Sequence, residues 1–371
     1  MVTANDTLIK RLPQKVSFRE DITTYGADNL YPQRAEEVAL RSPITKSSIK
    51  ALAKFLGGEG FSENSDFVIN RLGQTANDLI RFIRMDKATF DGWALHFNVN
   101  ELGGITEIVP VKFKDLRFGM PDEHGRHKDV KLNINWERDF DSTIVKYDNI
   151  QTFPLWHRRE DEDFEDIEGK DGFIYYWSPN MDEYPLVTFD SVMDSAQSNG
   201  EIQVFELSRI QQGFLGTSIF KHPGKFAGKK EKQQAINDLY NLTGPTNAGS
   251  VMLMEVPTDF DGQLIEQIPA NNDDRLFELT NETSQSRIIS NYQIPFSLLG
   301  IQPNGGMFNQ EQMQDSYIYM NTMTREERQS ISTAFNKFLQ FWHTGAVNVG
   351  EIIESSFEVK TVETETVTET E

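Results

Sequence analysis

Two short stretches gather side chains that could do chemistry. Gly224-Lys-Phe-Ala-Gly-Lys-Lys230 sets cations beside glycines, as a phosphate-binding loop does. Such a loop needs four residues between its glycines and a Ser or Thr after the lysine, for the magnesium. Here three residues separate the glycines, and Lys230 takes the place of the hydroxyl. Asp122-Glu-His-Gly-Arg-His127 brings two imidazoles and two carboxylates together. A metal would require them to converge with a further ligand. Arg126 stands among them, so an exposed polar turn is expected. The run Asp161-Glu-Asp-Phe-Glu-Asp166 lacks the alternating ligands and the glycine of a calcium loop, which leaves a solvated connection. Neither Gly-x-Ser-x-Gly nor His-Glu-x-x-His occurs. The chain has no cysteine, which excludes disulfides, thiolate catalysis and cysteine-ligated metals. The expectation is a protein that is not an enzyme and uses no cofactor or metal.

Lys221, Lys225, Lys229, Lys230 and Lys232 crowd one basic loop of a chain whose formal net charge is −21. That loop is either simply solvated or a docking surface for an acidic partner or a DNA backbone. A protein this acidic does not grip nucleic acid by neutralising phosphates over its surface. Either it has no nucleic-acid partner, or it handles DNA that must slide past without sticking. The 371 residues, 38% hydrophobic and 25% charged, suffice for one large core or for two to three domains. No uncharged apolar run approaches the roughly 18 residues of a membrane helix. The first residues lack a signal-peptide pattern, so the chain is expected to be made and used in cytoplasm.

The elements that must carry these residues follow from periodicity. Residues 1–34 are rich in turn formers and read as extended. Ser42-Pro43 starts a helix, with Ser as N-cap and Pro in the first turn, and Gly57-Gly58 ends it. Ala76, Leu79, Ile80, Ile83 and Phe90 form the stripe of a second helix over about 74–91. From Gly92 to about 190 short alternating runs predict strands, among them Trp93–Val99, Ile105–Val109 and Phe173–Trp177. A helix over about 200–214, a short helix at 235–240, a break at 243–249 and a buried strand at 250–256 come next. A long helix over about 272–292 has a middle, Thr280–Arg287, without an apolar residue, so it needs water, a polar neighbour or a lumen beside it. The loop after it, 291–308, carries Pro295, Pro303 and Gly305-Gly306 together with Met307 and Phe308. A very long helix over 309–342 follows, whose apolar stripe lapses at Thr324–Arg328 and could bend there. The Thr/Glu tail from Lys360 reads as a disordered end.

In order and spacing these pieces resemble a tailed-bacteriophage portal protein. The residues that carry the resemblance are Gly244-Pro-Thr-Asn-Ala-Gly249, Val251-Met-Leu-Met254, Ile294-Pro-Phe-Ser-Leu-Leu-Gly300 and Asn309-Gln-Glu311. Asn29-Leu-Tyr-Pro32, Ser42-Pro43 and Gly57-Gly-Glu-Gly60 add to them. Phe296 departs from the pattern, since a second proline is common there. Little chain follows Trp342, so the crown of larger portals is expected to be reduced or absent.

The resemblance implies an α+β portal-type fold: a wing over 1–195, stem helices over 196–214 and 271–293, and a clip over 215–270. It further implies a hinge and tunnel loop over 294–308, a long wing helix over 309–342, and a short C-terminal wing or crown remnant with the acidic tail over 343–371. Its function would be that of a homo-oligomeric ring, a dodecamer, at one capsid vertex of the virion, assembled in the host cytoplasm. Double-stranded DNA would pass through the ring during packaging and ejection. The terminase large subunit, a head–tail adaptor and the major capsid protein would dock on it, with no membrane involved. Gln302, Asn304, Gly305, Gly306, Met307 and Phe308 would form the tunnel loop. Glu278, Asn281, Glu282 and Gln285 would face the stem lumen, and Lys221, Lys225, Lys229 and Lys230 would serve clip docking. A nucleotide-binding enzyme and a non-ring virion scaffold are the alternative functions. In the loop, 294–300 reads as a packed hinge with Pro295 stopping the helix, and 302–308 as an uncharged mobile part. Shortening Asn304–Met307 is expected to impair DNA packaging or retention while rings still assemble. Loss of the rings themselves would make the loop structural.

Overall fold

Caps and prolines set the first helices of the computed structural model. It describes residues 15–17, 21–136, 149–156, 172–180, 183–211, 217–226, 228–234, 237, 251–263, 265–268, 274–300 and 310–357. The acidic run 161–166, the break at 243–249, the tunnel-loop residues 302–308 and the tail from Lys360 lie outside these. So does the short helix expected at 235–240, apart from Asn237.

Strands β1 (Lys15–Ser17) and β2 (Ile22–Thr24) pair antiparallel. Helix α1 (Tyr31–Arg41) follows, where the turn-rich sequence predicts extended chain. The correction has a physical reason. Pro32 stands in the first turn, where its missing N–H costs nothing, and Tyr31, Ala35 and Ala39 bury one face. Helix α2 (Pro43–Gly57) forms as expected, with the Ser42 side chain accepting from the Thr45 N–H. Gly58 ends it at φ 48°, where a Cβ would overlap the carbonyl oxygen of Ile353. After β3 (Gly60–Phe61), α3 (Ala76–Phe90) starts on a reciprocal Thr75–Asp78 capping box.

The expected β-rich region is present as β4 (Trp93–Val99), β5 (Ile105–Val111), β6 (Leu116–Phe118), β7 (Asp129–Leu132), β8 (Gln151–Pro154) and β9 (Phe173–Trp177). They form two antiparallel sheets, ordered β5-β4-β9 and β6-β7-β8. Helix α4 (Met193–Gln211), strands β10 (Thr217–Pro223), β11 (Val251–Val256) and β12 (Ile265–Ile268), and helix α5 (Asp274–Tyr292) come next. The chain closes with α6 (Gln310–Met323), α7 (Arg325–Leu339) and β13 (Ile352–Ile353). The single long helix expected over 309–342 is thus two helices. They part at Thr324, where the apolar stripe lapses, and Arg328 donates into the break, to Thr324 Oγ1 at 2.6 Å and to Asn321 O at 2.9 Å.

Two compact units result, Met1–Met193 with Ile288–Glu371, and Asp194–Arg287. The first is built on the β5-β4-β9 sheet. Trp93, Leu95 and Phe97 alternate along β4 onto one buried face. They meet Leu79, Ile80 and Ile83 of α3 and Ile331, Phe335 and Phe338 of α7 in one cluster. Phe338 lies 5.0 Å from the Phe97 ring and 5.7 Å from that of Tyr175, in the tilted and edge-on geometries aromatic pairs prefer. The chain after α7 is stitched to the same sheet. Ile105 N–H donates to Phe341 O at 2.7 Å, His343 N–H donates to Ile105 O at 3.0 Å, and β13 pairs antiparallel with β3.

Buried cations tie the rest of this unit together. Arg117, fully buried, donates to Asn29 Oδ1 at 2.5 Å, to Asn29 O at 2.6 Å and to Lys114 O at 2.8 Å. Asn29 presents both oxygens because it holds φ 64°, the left-handed region asparagine tolerates. Lys87 donates to Asp91 and Glu327 and lies 4.0 Å from the centre of the Trp177 ring. Phe338→Ala is expected to cost about 3–5 kcal/mol, by transfer and cavity terms together. Denaturant unfolding measures this, and a loss below about 1 kcal/mol would show that α7 does not hold the sheet.

Candidate functional site

The stretches that looked chemical fall into bland roles. His127 is not part of an exposed turn. It is buried, stacks on Phe118 at 4.5 Å and hydrogen-bonds Gly119 O through Nδ1 at 3.0 Å. Asp122 accepts from the His124 and Arg126 N–H groups, which closes the exposed part of the turn and holds its carboxyl below the usual carboxylate range. Among the described residues no group of three or more His, Asp or Glu could hold a metal ion. No helix among them is long and apolar enough to cross a membrane.

The basic stretch is more ordered than the loop expected. Lys221 lies on β10, pairs with Glu266 at 2.7 Å and sits 5.1 Å from the centre of the Phe260 ring. Gly224 turns the chain at φ 90°, and residues 229–234 are helical, so Lys229 and Lys230 begin a helical turn. Lys232 pairs with Glu255 at 3.0 Å. Lys225, Lys229 and Lys230 are exposed. The strand–turn–helix order is that of a phosphate loop, yet the glycine spacing and the missing hydroxyl still do not fit one.

The sheet beside them is thin. Its order is β11-β10-β12, with β10–β11 parallel and β10–β12 antiparallel. The sequence predicts a buried strand at β11, but it is an edge strand, and Met254 is 40% exposed. Three short strands offer too little covered face to bury it. Within Asp194–Arg287, Ala196 and Ile202 are the buried apolar side chains among the described residues. Val204, Leu207, Leu279 and Ile265 are each more than half exposed.

Helices α4 and α5 explain the polar stretch Thr280–Arg287. Asn199 Nδ2 donates to Asn281 Oδ1 at 2.8 Å, and the Phe205 and Phe277 rings stack at 4.7 Å. The residue number falls on one helix as it rises on the other, so the two run antiparallel. Phe277, Asn281, Ser284 and Ile288 form the inward stripe of α5, with steps of four, three and four residues. The partner it needs is polar: Asn199 is 2% exposed and Ser195 is buried. Of the residues expected to face a lumen, Asn281 is turned to α4, Gln285 is half-buried, and Glu278 and Glu282 are exposed.

The far end of α5 is anchored in the first unit. Asn291 Nδ2 donates to Thr188 O at 3.0 Å, and Ser191 Oγ donates to Asn291 Oδ1 at 2.6 Å. The helix stops before Pro295: Gln293 takes φ 53° and reverses the chain. Ile294 is buried, and Phe296–Leu299 form a 3-10 turn that packs against α2 and α6, with Ser297 Oγ 2.6 Å from Ser316 Oγ, while Phe296 stays 39% exposed. Nothing in the sequence signals the burial of Arg117 and Lys87, since a cation's burial depends on partners far along the chain.

No protein-family model matches the chain, and no curated protein matches it. Solved structures do. A chain from the virion of a native gene transfer agent (GTA) particle is similar at TM-score 0.52 and 12% identity, over 85% of this chain and 83% of that one. A chain from the neck of the native GTA particle, computed with C12 symmetry, is similar at TM-score 0.52 and 13% identity, over 86% and 84%. An HK97-family phage portal protein from Corynebacterium diphtheriae is similar at TM-score 0.42 and 10% identity, over 84% and 90%. At such identities the likeness is one of fold, and the fold is a mixed α+β one. This chain shares that fold with chains of the virion and the neck of the particle.

Asn281→Ala is expected to destabilise the helix pair by about 1 kcal/mol, since it removes the acceptor that the buried Asn199 amide bonds across the pair. Asn199→Leu combined with Asn281→Leu should recover much of that loss. Thermal unfolding reads both, and an equal cost in single and double variants would contradict the pairing.

Proposed function

We propose that the chain is a portal-type structural protein, a ring-forming conduit for double-stranded DNA at one capsid vertex. The observation that carries the reading is the fold shared, over most of both chains, with a chain of a particle neck. Its C12 symmetry belongs to that particle; for this chain a homo-oligomeric ring of twelve is the proposal.

The shortage of buried apolar side chains among the described residues of Asp194–Arg287 supports a ring. A segment that buries so little of its own apolar surface gains its stability from contacts with other copies. In this reading α4 and α5 form the stem, the β11-β10-β12 sheet with its lysines forms the clip, and the unit holding the aromatic core forms the wing. Residues 302–308 form the tunnel loop. The overall charge of −21 is multiplied around the channel and repels phosphate, which keeps DNA mobile. Lys225, Lys229 and Lys230 are the exposed cations for docking the terminase or a head–tail adaptor, and Lys221, engaged with Glu266, serves the clip sheet instead.

Electron microscopy of the assembled protein tests the ring, and particles without a central hole would refute it. Reversing Lys225, Lys229 and Lys230 to Glu is expected to leave rings intact and to abolish motor or adaptor docking. Packaging and tail attachment at the unmodified level would show that the lysines are only solvated.

A further inference from the structure

The two flanks of the α4–α5 pair differ in chemistry. Asn199 and Asn281 face each other, so every other position can be placed by rotation from them, at about 100° per residue. In an antiparallel pair, rotations of the same sign fall on the same side. Glu282, Glu278, Val204 and Leu207 rotate to one flank. Phe205, Phe277 and Arg287 rotate to the other, and the Phe205–Phe277 stack confirms that these two share a side. One flank is therefore acidic and aliphatic; the other carries the two aromatic rings and Arg287, with Glu201 toward its outer edge. Val204 and Leu207 stand at the same level along the pair as Phe205 and Phe277. Glu278, Glu282 and Arg287 are exposed, and among the described residues none of the three joins an ion pair.

Resting on the ring reading above, we infer that these flanks are the two halves of one contact between neighbouring copies of this chain: Glu282 of one copy faces Arg287 of the next, above a seam of Val204 and Leu207 against Phe205 and Phe277. A flank that matched itself would make a two-fold dimer. Flanks that match each other make a head-to-tail contact, which closes into a ring. The apolar seam takes up side chains that stand in water on a single copy; Leu207 is 54% exposed and Phe205 41%. The charges set which flank meets which. Glu282 and Arg287 are offset by about 7.5 Å along the helix axis, a distance their two long side chains span. Glu282 is thereby assigned to the seam between copies and not to the channel wall.

A charge swap tests the inference. Glu282→Arg sets like charges together, and so does Arg287→Glu, so each should lower the ring fraction about tenfold at fixed protein concentration. Combining E282R with R287E should restore it. Circular dichroism establishes that the single variants fold. Because the chain has no cysteine, E282C with R287C gives a second readout. A short bismaleimide should join the copies into a ladder up to the full ring, whereas monomeric product alone would overturn the contact. Wild-type protein that forms no rings would refute the ring reading itself. Wild-type rings together with undiminished rings in E282R, or a double variant that stays monomeric, would refute this contact and leave the ring reading standing.

Discussion

Phe335 and Phe338 lie against the sheet that carries Trp93 and Phe97, and the first unit depends on that contact. The sheet comes from the first half of the chain and its covering helix from the last part. Neither buries its apolar face until the other arrives. The contact also fixes topology. The chain leaves this unit at Met193 and re-enters at Ile288, so everything between is an insertion whose two ends are held by one core. The seal extends past α7, since Phe341 and His343 bond to Ile105 and β13 pairs with β3.

The insertion obeys a different constraint. It has two long helices and a three-stranded sheet, with little apolar surface buried among its described residues. Its helix pair is held by an amide–amide hydrogen bond and one ring stack. Amide pairs specify register more than they stabilise, because breaking one strands a buried donor while making one gains little over water. Such a segment is well aligned and, among its described residues, weakly cored.

Charge is distributed with the same division of labour. Cations that are buried, Lys87, Arg117 and Arg328, are held by carbonyls, carboxylates and rings, where desolvation would otherwise be costly. Burial pulls the Arg328 guanidinium below its ordinary range, and the Glu354 carboxylate partly restores it. Cations left in the open, Lys225, Lys229 and Lys230, belong to a small part of an otherwise acidic chain. The excess of carboxylates elsewhere repels polyanions in general, so these three lysines stand out against the field of the rest of the chain.

Local rules were legible in the sequence wherever chemistry acts within a few residues. Ser42 caps α2, Gly58 ends it, the runs at 93–99 and 173–177 are strands as read, and the lapse at Thr324 is a helix break. Other features were decided by tertiary structure. Helix α1 forms because its buried face finds a core that turn-rich residues do not announce. β11 is an edge strand because, among the described residues, β10 alone pairs with it. His127 is a packed ring, and Asn281 points at a helix, because each has a partner distant in sequence. A side chain's type and spacing fix what it could do; which neighbour it meets depends on long-range packing, and that neighbour determines whether a polar residue is a site, a seam or part of a core.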